Sequence, residues 1–479
     1  GLAKLMRTLE ILQDGPGIDP EIHDATRETA RRMILELFEP GMFRRGTHVS
    51  NQLDGIWYSA ALYVDLFGDP KIEALMRERL PQSEGFQSPA GFFYESASTE
   101  WGYNLGTHKT ILNYVATVTG GRPLLSEFLH EREARFWDWV AYSVAGQPGS
   151  DTMVLNGGIQ SRHLDKTDFE DLGYIHAAGQ FSTARAFAQT LESYRETVAG
   201  RRAALAESGS AAVEPLPVGN AVAYRFPIYS LAMDLQFPSE QARSDARARL
   251  PFRRDGSFVH QRVDVKRFDP PYAATFVKRS GYYAVFNSGE LNKPFQRVGL
   301  GLLWHPEFGV AAQNVNALTK DEKKLAGRPS WGTAREAMTE PLEGRRLAAS
   351  FTVDGEPVEL KEGTRDLPPG EFRVAYPLGS DGRSEWTFGD ERIEGRIRLD
   401  GNFVHQIPLL AGPEEEISVQ EGRAVLERSG VRMEVAWSPA SEGRWELTRR
   451  QVGDARRGFL LLPGEDDLSV TVRFVEGSR

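Results

Sequence analysis

The chain has 479 residues, 40% of them hydrophobic and 26% charged, with no cysteine and a formal net charge of −10. That length allows two to four domains with ample cores, while the lack of cysteine excludes disulfides, thiolate catalysis and Cys-type zinc or iron–sulfur sites. The acidic balance argues against a broad nucleic-acid surface, and no run of about eighteen apolar residues is present to span a membrane.

The chain begins at Gly1 inside a helical pattern, "LAKLMRTLEIL", which reads as a processed or truncated start. Residues 24–39, "DATRETARRMILELFE", place apolar side chains at helical spacing and stop at Pro40-Gly41. Residues 51–67, "NQLDGIWYSAALYVDLF", repeat the pattern and end at Gly68-Asp69-Pro70. Further helical patterns cover 71–80, 99–118, 123–145 and 179–207. Successive helices with short loops pack as antiparallel hairpins in a bundle, a solenoid or a toroid, and no fixed-period repeat supports a regular solenoid.

The stretch 207–220, "ESGSAAVEPLPVGN", has linker composition, and 221–250 is ambiguous between helix and strand. From about 252 the pattern changes. "SFVHQRVDV", "ATFVKRSGYYAVFNS", "RVGLGLLWH" and "FGVAAQNV" are strand-like. From 346 onward, "LAASFTVDGEPVEL", "GEFRVAYPLG", "RIEGRIRLDGNFVHQIPL" and "LSVTVRFVEG" read as short strands with Asp-Gly and Gly-Asn turns, as in an antiparallel sandwich. The expected organisation is a helical domain over 1–210, a linker or ambiguous segment over 211–250, and an antiparallel β-sandwich region over 251–479.

Four stretches carry candidate chemistry. "THVSNQLDGIWY" (47–58) sets Asn51 and Gln52 at a helix start with Trp57 and Tyr58 one to two turns on. It reads either as a capping Asn with a core aromatic stripe, or as amide donors beside an aromatic sugar platform. "GFFYESASTEWGYNLGTH" (91–108) mixes aromatics with Glu95, Glu100, Asn104 and His108. Those polar groups would all need partners in a core, and a solvent loop would not need the aromatics, whereas a sugar-binding cleft uses both. Within it Trp101 and Tyr103 flank Gly102, and Tyr103 is either a core tyrosine or a proton-transfer group. A phenol near its ordinary pKa of about 10 needs a nearby cation or donor cluster to act as a base at neutral pH.

"GSFVHQRVDVKRF" (256–268) puts His260 in a strand with Arg262, Lys266 and Arg267, a basic run in an acidic chain that fits an anionic ligand or a structural histidine. "NGGIQSRHLDK" (156–166) is a Gly-rich loop bearing Arg162, His163 and Lys166, either functional or a plain exposed connection. No HExxH, P-loop, GxSxG or EF-hand pattern occurs, so no motif supports a cofactor or a structural metal ion.

The order of these pieces resembles the heparinase II/III-like polysaccharide lyases and the related alginate and chondroitin lyases. The likeness rests on an Asn near a helix start, a Tyr about fifty residues later in "FFYES…EWGYN", and a His about 150 residues beyond, where the β region begins. The resemblance covers most of the chain in layout. It implies an N-terminal incomplete (α/α) toroid of helical hairpins followed by a large antiparallel β-sandwich, with the site in the cleft between them. It also implies a periplasmic or secreted protein acting on an anionic polysaccharide. Carried over by position, Asn51 neutralises the substrate carboxylate, Tyr103 is the catalytic tyrosine and His260 its partner. Gln52, Trp57, Tyr58, Glu95, Trp101, Asn104, His108, Arg162 and His163 are the candidate substrate-binding residues. Where some relatives carry a His- and Asp-rich strand motif for zinc, this chain reads "GLGLLWHPEFGVAAQNV", with only His305. The family also has more helices before its Asn than about fifty residues supply.

Such a set suits β-elimination on a uronate. The C5 proton is weakly acidic, so an amide and a cation must stabilise the enolate-like intermediate while an acid and a base exchange protons. Two other readings use the same residues. A glycoside hydrolase would need two carboxylates, for which Asp54, Glu95 and Glu100 are candidates. A non-catalytic glycan-binding protein would need only the aromatics.

Overall fold

The computed structural model describes residues 19–41, 50–94, 123–150, 152–160, 178–193, 237–293, 295–314, 329–452 and 454–476, with a few isolated positions besides, Asn104 among them. The chain divides into two compact units. One is built from the described parts of Gly1–Ser96, Tyr103–Asp138 and Glu170–Arg249, the other from those of Trp139–Phe169 and Leu250–Arg479.

The first unit is helical. Helix α1 (Pro20–Phe38) starts at Asp19, whose carboxylate caps the Glu21 N–H, with Pro20 at the first helical position. It buries Ala30, Ile34 and Phe38, one residue per turn. Helix α2 (Ser50–Phe67) lays Trp57 edge-on against Phe38 at 5.5 Å and ends at Gly68, whose φ of 68° only glycine adopts without cost. Asp69 then caps α3 (Pro70–Arg79) through the N–H groups of Lys71 and Ile72, and accepts from Arg31 Nε of α1 at 2.5 Å. Burial alone would raise the Asp69 pKa, but the hydrogen bonds from Arg31, Ile72 and Lys71 hold it below the ordinary value. One carboxylate thus starts one helix and ties it to another.

Helix α4 (Pro123–Tyr142) follows the expected 123–145 pattern. Short α5 (Ser182–Phe187) is tied to α6 (Glu240–Ala248) by Arg247 Nε donating to the Ala186 carbonyl. The ambiguous 221–250 segment therefore ends in a helix, capped by Ser239. The candidate linker 207–220 and the 99–118 pattern, Asn104 apart, lie outside the described residues.

The second unit is antiparallel β throughout its described strands. A small hairpin pairs β1 (Val144–Gly146) with β2 (Met153–Leu155). A first meander runs β3 (Phe258–Asp264), β4 (Tyr272–Lys278), β5 (Tyr283–Glu290), β6 (Gly299–His305) and β7 (Gly309–Gln313). After β8 (Gly332–Ala334) and β9 (Arg346–Leu347), β10 (Ser350–Val353) turns at Asp354-Gly355 into β11 (Glu356–Val358). Both turn residues have positive φ, 51° and 85°, as the Asp-Gly pair predicts. Strand β12 (Gly363–Asp366) pairs with β3. Strands β13 (Phe372–Leu378), β14 (Gly382–Phe388) and β15 (Arg392–Ala411) form a second meander. Then come β16 (Ile417–Gln420), β17 (Arg423–Arg428), β18 (Val431–Ser438), β19 (Arg444–Val452) and β20 (Ala455–Glu476).

The spine is β15 against β20, paired from Arg392↔Arg473 to Ala411↔Arg456 with one break, with β18 and β19 on the far edge of β20 and β7 and β8 beside the second half of β15. Strands β4, β6 and β7 are buried at every position and so covered on both faces, whereas β13 alternates buried and exposed. Two sequence expectations change here. The Asp400-Gly401-Asn402 run is not a turn: it is a bulge inside β15, where register shifts between Leu399 and Asn402. Gly401, at φ 76°, donates its N–H to Asp466 on the facing strand at 2.7 Å. The strands around it are also long, 20 residues in β15 and 22 in β20, rather than short.

Beneath the second half of β15 lies a buried polar cluster. Glu343 accepts from the Thr333 N–H at 2.8 Å and from the Tyr376 hydroxyl at 3.4 Å. The Thr333 hydroxyl meets His405 Nδ1 at 3.1 Å, and the rings of Trp331 and Trp386 pack on His405. Burial pushes the Glu343 pKa up to about 7 and the His405 pKa down to about 3.

Candidate functional site

His260 stands on β3, directly opposite Asp366 of β12 in the antiparallel register. Its Nδ1 lies 2.8 Å from Asp366 Oδ1. The imidazole is nearly buried, with its side chain 9% exposed, while the Asp366 side chain is 76% exposed. The ring of Tyr142, the last residue of α4, stacks on the imidazole at 4.2 Å and 17°. Phe276, across β4, lies at 6.1 Å.

Period-two geometry puts His260 and Arg262 on the same face of β3. The Arg262 guanidinium lies over the Tyr142 ring at 4.7 Å, and that of Arg254 at 5.6 Å. Arg254 Nη1 also donates to the Tyr142 hydroxyl at 3.3 Å. Tyr283 of β5 donates its hydroxyl to the Tyr142 carbonyl at 2.5 Å, a contact within the second unit, to which Trp139–Tyr142 belong. Burial raises the Tyr283 pKa far above the ordinary value, helped by Tyr142 and opposed by Arg262 and Arg254. The arrangement is a histidine held by a carboxylate and layered on a tyrosine, over whose ring two guanidiniums lie. It can hold or move one proton at the imidazole in a locally cationic setting.

The root of the Gly-rich loop belongs to the same unit. Asn156 and Asn287 exchange two amide hydrogen bonds of 2.9 Å, Gln296 Nε2 donates to the Ile159 carbonyl, and Arg297 N–H donates to the Gly158 carbonyl. Gly157 and Gly158 lie so close to Asn314 and Arg297 that a Cβ at either would collide with backbone oxygen. The glycines are therefore packing requirements. Arg162, His163 and Lys166 beyond them lie outside the described residues.

In the helical unit, Asn51 and Gln52 fall in the first turn of α2, inside the helix rather than at its cap. The side chains of Asn51, Gln52 and Tyr58 lie outside the described ones, as do Glu95, Trp101, Tyr103 and His108 altogether. Trp57 is 2% exposed and packs on Phe38, so it is a core residue and not a sugar platform. Asn104 is buried: its Oδ1 accepts from the Phe93 N–H at 2.7 Å and its Nδ2 donates to the Phe93 carbonyl at 3.0 Å. It ties the chain at 104 to the segment at 93 instead of facing a ligand. Phe92, Phe93 and Tyr94 are likewise core, because Gln87 pins this segment to α4 through the Arg132 carbonyl. Part of the mixed composition of 91–108 thus comes from a buried segment whose polar residue satisfies a backbone strand.

Sequence reasoning missed Asp366, Tyr142 and Arg254. Arg254 had a signal in the basic run just before Gly256, but Asp366 is 106 residues from His260 and only strand pairing brings them together. His305 accepts at Nδ1 from the N–H groups of Glu307 and Phe308 and packs on Phe474. Burial lowers its pKa to about 4. Among the described residues no group of three or more His, Asp or Glu side chains could hold a metal ion. No described helix is long and apolar enough to cross a membrane.

No protein-family model matches the chain, and no curated protein does. Solved structures do. A heparan sulfate lyase from Pedobacter heparinus aligns over 100% of this chain and 67% of its own, at 10% identity and a TM-score of 0.51. A chondroitin AC lyase from Streptomyces coelicolor A3 aligns over 100% and 66%, at 15% identity and a TM-score of 0.49. A heparinase III aligns over 100% and 68%, at 8% identity and a TM-score of 0.46. The chain spans about two thirds of the length of these proteins. Helices followed by a large antiparallel β region, in this order, give the chain a fold similar to that of the heparan sulfate lyase.

Proposed function

We propose that the chain is a polysaccharide lyase that cleaves a uronic-acid-containing polysaccharide by β-elimination. The observation that carries the reading is His260, held by Asp366 and stacked on Tyr142, over which Arg254 and Arg262 lie, in a chain with a heparan-sulfate-lyase-like fold. In this reading the described helices belong to an incomplete (α/α) toroid, and the protein works in the periplasm or outside the cell, where such polymers are met.

The chemistry balances without water. A base takes the C5 proton, the C5–H electron pair becomes the C4=C5 double bond, and the C4–O bond breaks. The leaving oxygen then receives a proton from an acid. Tyr103 and His260 divide the two proton transfers. Asn51 donates to the substrate carboxylate and stabilises the dianionic intermediate. Arg254 and Arg262 bias the surroundings of His260 towards an anion.

The test is direct. Purified protein is incubated with heparan sulfate, chondroitin sulfate, alginate, glucuronan and ulvan. A lyase yields an unsaturated, UV-absorbing end from at least one of them, and His260→Gln abolishes it. New reducing ends without UV absorbance would mean hydrolysis, and binding without either product would mean a glycan-binding protein; both outcomes refute the reading.

A further inference from the structure

We propose that Asp366 is a positioning residue for His260: it fixes the tautomer and the orientation of the imidazole that moves the proton. The inference rests on the lyase reading above, and assigns a role within it to a residue that no motif marks.

A carboxylate only accepts hydrogen bonds, so the 2.8 Å contact places a hydrogen on Nδ1. The neutral ring then keeps its lone pair on Nε2, which becomes the nitrogen that exchanges the proton. The ring is also held against rotation. Tyr142 covers one face at 4.2 Å and 17°, and Tyr142 is itself fixed by the Tyr283 hydroxyl on its carbonyl and by Arg254 on its own hydroxyl. A flipped ring would lose the Asp366 bond while keeping the Tyr142 stack, so the carboxylate favours the observed orientation.

The charges point the same way. Tyr142 faces His260 from α4, Phe276 from β4, Asp366 from β12 and Arg262 from its own strand, with Arg254 on the far partner, Tyr142. Asp366 brings a negative charge to Nδ1, and the Arg254 and Arg262 guanidiniums lie over Tyr142, the ring stacked on the imidazole. Backbone pairing of Gly363–Asp366 with β3 does not need this side chain, so the carboxylate can be changed without losing the strand.

The experiment uses the full chain labelled with ¹⁵N-histidine. Long-range ¹H–¹⁵N spectra report the tautomer of each of the nine histidines, and His260→Gln assigns the signal. The wild type is expected to show the Nδ1-protonated form at His260. Asp366→Ala should shift it towards the Nε2-protonated form, and Asp366→Asn, which keeps an acceptor, should restore it in part. On whichever uronate polymer the wild type cleaves, Asp366→Ala should lower kcat about 10-fold to 100-fold, by the logic of an oriented catalytic histidine. KM should stay within about twofold, and the acidic limb of the kcat–pH profile should move to lower pH as imidazolium loses its counter-charge. An unchanged His260 tautomer in Asp366→Ala overturns the inference whether or not any polymer is cleaved. A shifted tautomer with unchanged kcat and pH profile overturns it too. Absence of unsaturated product from the wild type sinks the lyase reading instead, and with it the catalytic part of this role.

Discussion

Glu343 offers the clearest test of the physical account of the β unit. It is 2% exposed, and its pKa stands at about 7 against an ordinary 4.5. The folded state therefore binds the protonated form more tightly. Its contribution to stability is fully present below about pH 4.5 and is lost as pH rises through about 7. At ~1.4 kcal/mol per pH unit, that window amounts to about 3 kcal/mol. His405 acts in the opposite sense. Its pKa falls from 6.5 to about 3, so its contribution is present above pH 6.5 and is lost as pH falls towards 3. Between about pH 4.5 and 6.5 the two slopes oppose each other in the wild type. Glu343→Gln keeps the size and an acceptor for the Thr333 N–H, but cannot ionise. Urea unfolding of both proteins, followed by tryptophan fluorescence from pH 4 to 8, gives the stability difference. Any fixed packing cost shifts that difference equally at every pH. The variant should therefore gain on the wild type by about 3 kcal/mol between pH 4.5 and 8. A difference that stays flat across this range would mean that Glu343 titrates at its ordinary pKa, and the cluster would have to be redrawn.

Other perturbations give sharp expectations. Tyr103→Phe keeps the ring and should lower turnover by about 10² to 10⁴ with folding intact, measured as unsaturated product; near wild-type turnover would remove Tyr103 from the proposed chemistry. Asn51→Ala should cost about 10² to 10³ in turnover by loss of one donor to the charged intermediate, whereas a hydrolase would instead be crippled by Glu95→Gln or Glu100→Gln. Asn104→Ala strands the Phe93 N–H and carbonyl and should lower unfolding free energy by about 1 to 3 kcal/mol, leaving KM for the cleaved polymer unchanged if its role is the tie described. Gly401→Ala meets no neighbour within 4 Å, so its cost should be conformational only, about 1 kcal/mol in chemical denaturation; a loss several times larger would show that the bulge is more crowded than it is drawn.

How much of this was legible in the sequence depends on how local each cause is. The end of α2 was readable at Gly68-Asp69-Pro70, because a left-handed glycine, a capping carboxylate and a proline act within three residues. The Asp354-Gly355 hairpin was readable for the same reason. Asp400-Gly401 carries the same dipeptide and forms a bulge, because Asp466 and the rest of β20 lie alongside and keep the strand running. Local chemistry allowed both outcomes, and a partner more than sixty residues away decided between them. The aromatics of 91–108 misled in a related way. Phe92 and Phe93 are core residues, and Asn104 is polar only because a buried backbone needs its amide.

The candidate site divides along the same line. His260 was visible as a histidine in a basic strand, and Arg262 two residues on was visible with it, since period two is a local rule. In the proposed role, the groups that make the histidine a chemical group rather than a core residue come from elsewhere in the chain. Asp366 arrives by strand pairing, Tyr142 by the end of a helix, and Arg254 through Tyr142. A motif records which residues a chain has to spend at one place, whereas a proton-transfer group is defined by what surrounds it. Among the described residues, Asp366 is the group that holds Nδ1, while Tyr142 and Phe276 present rings to the imidazole. The carboxylate on the neighbouring strand is what distinguishes a histidine with a defined proton from one that merely fills space.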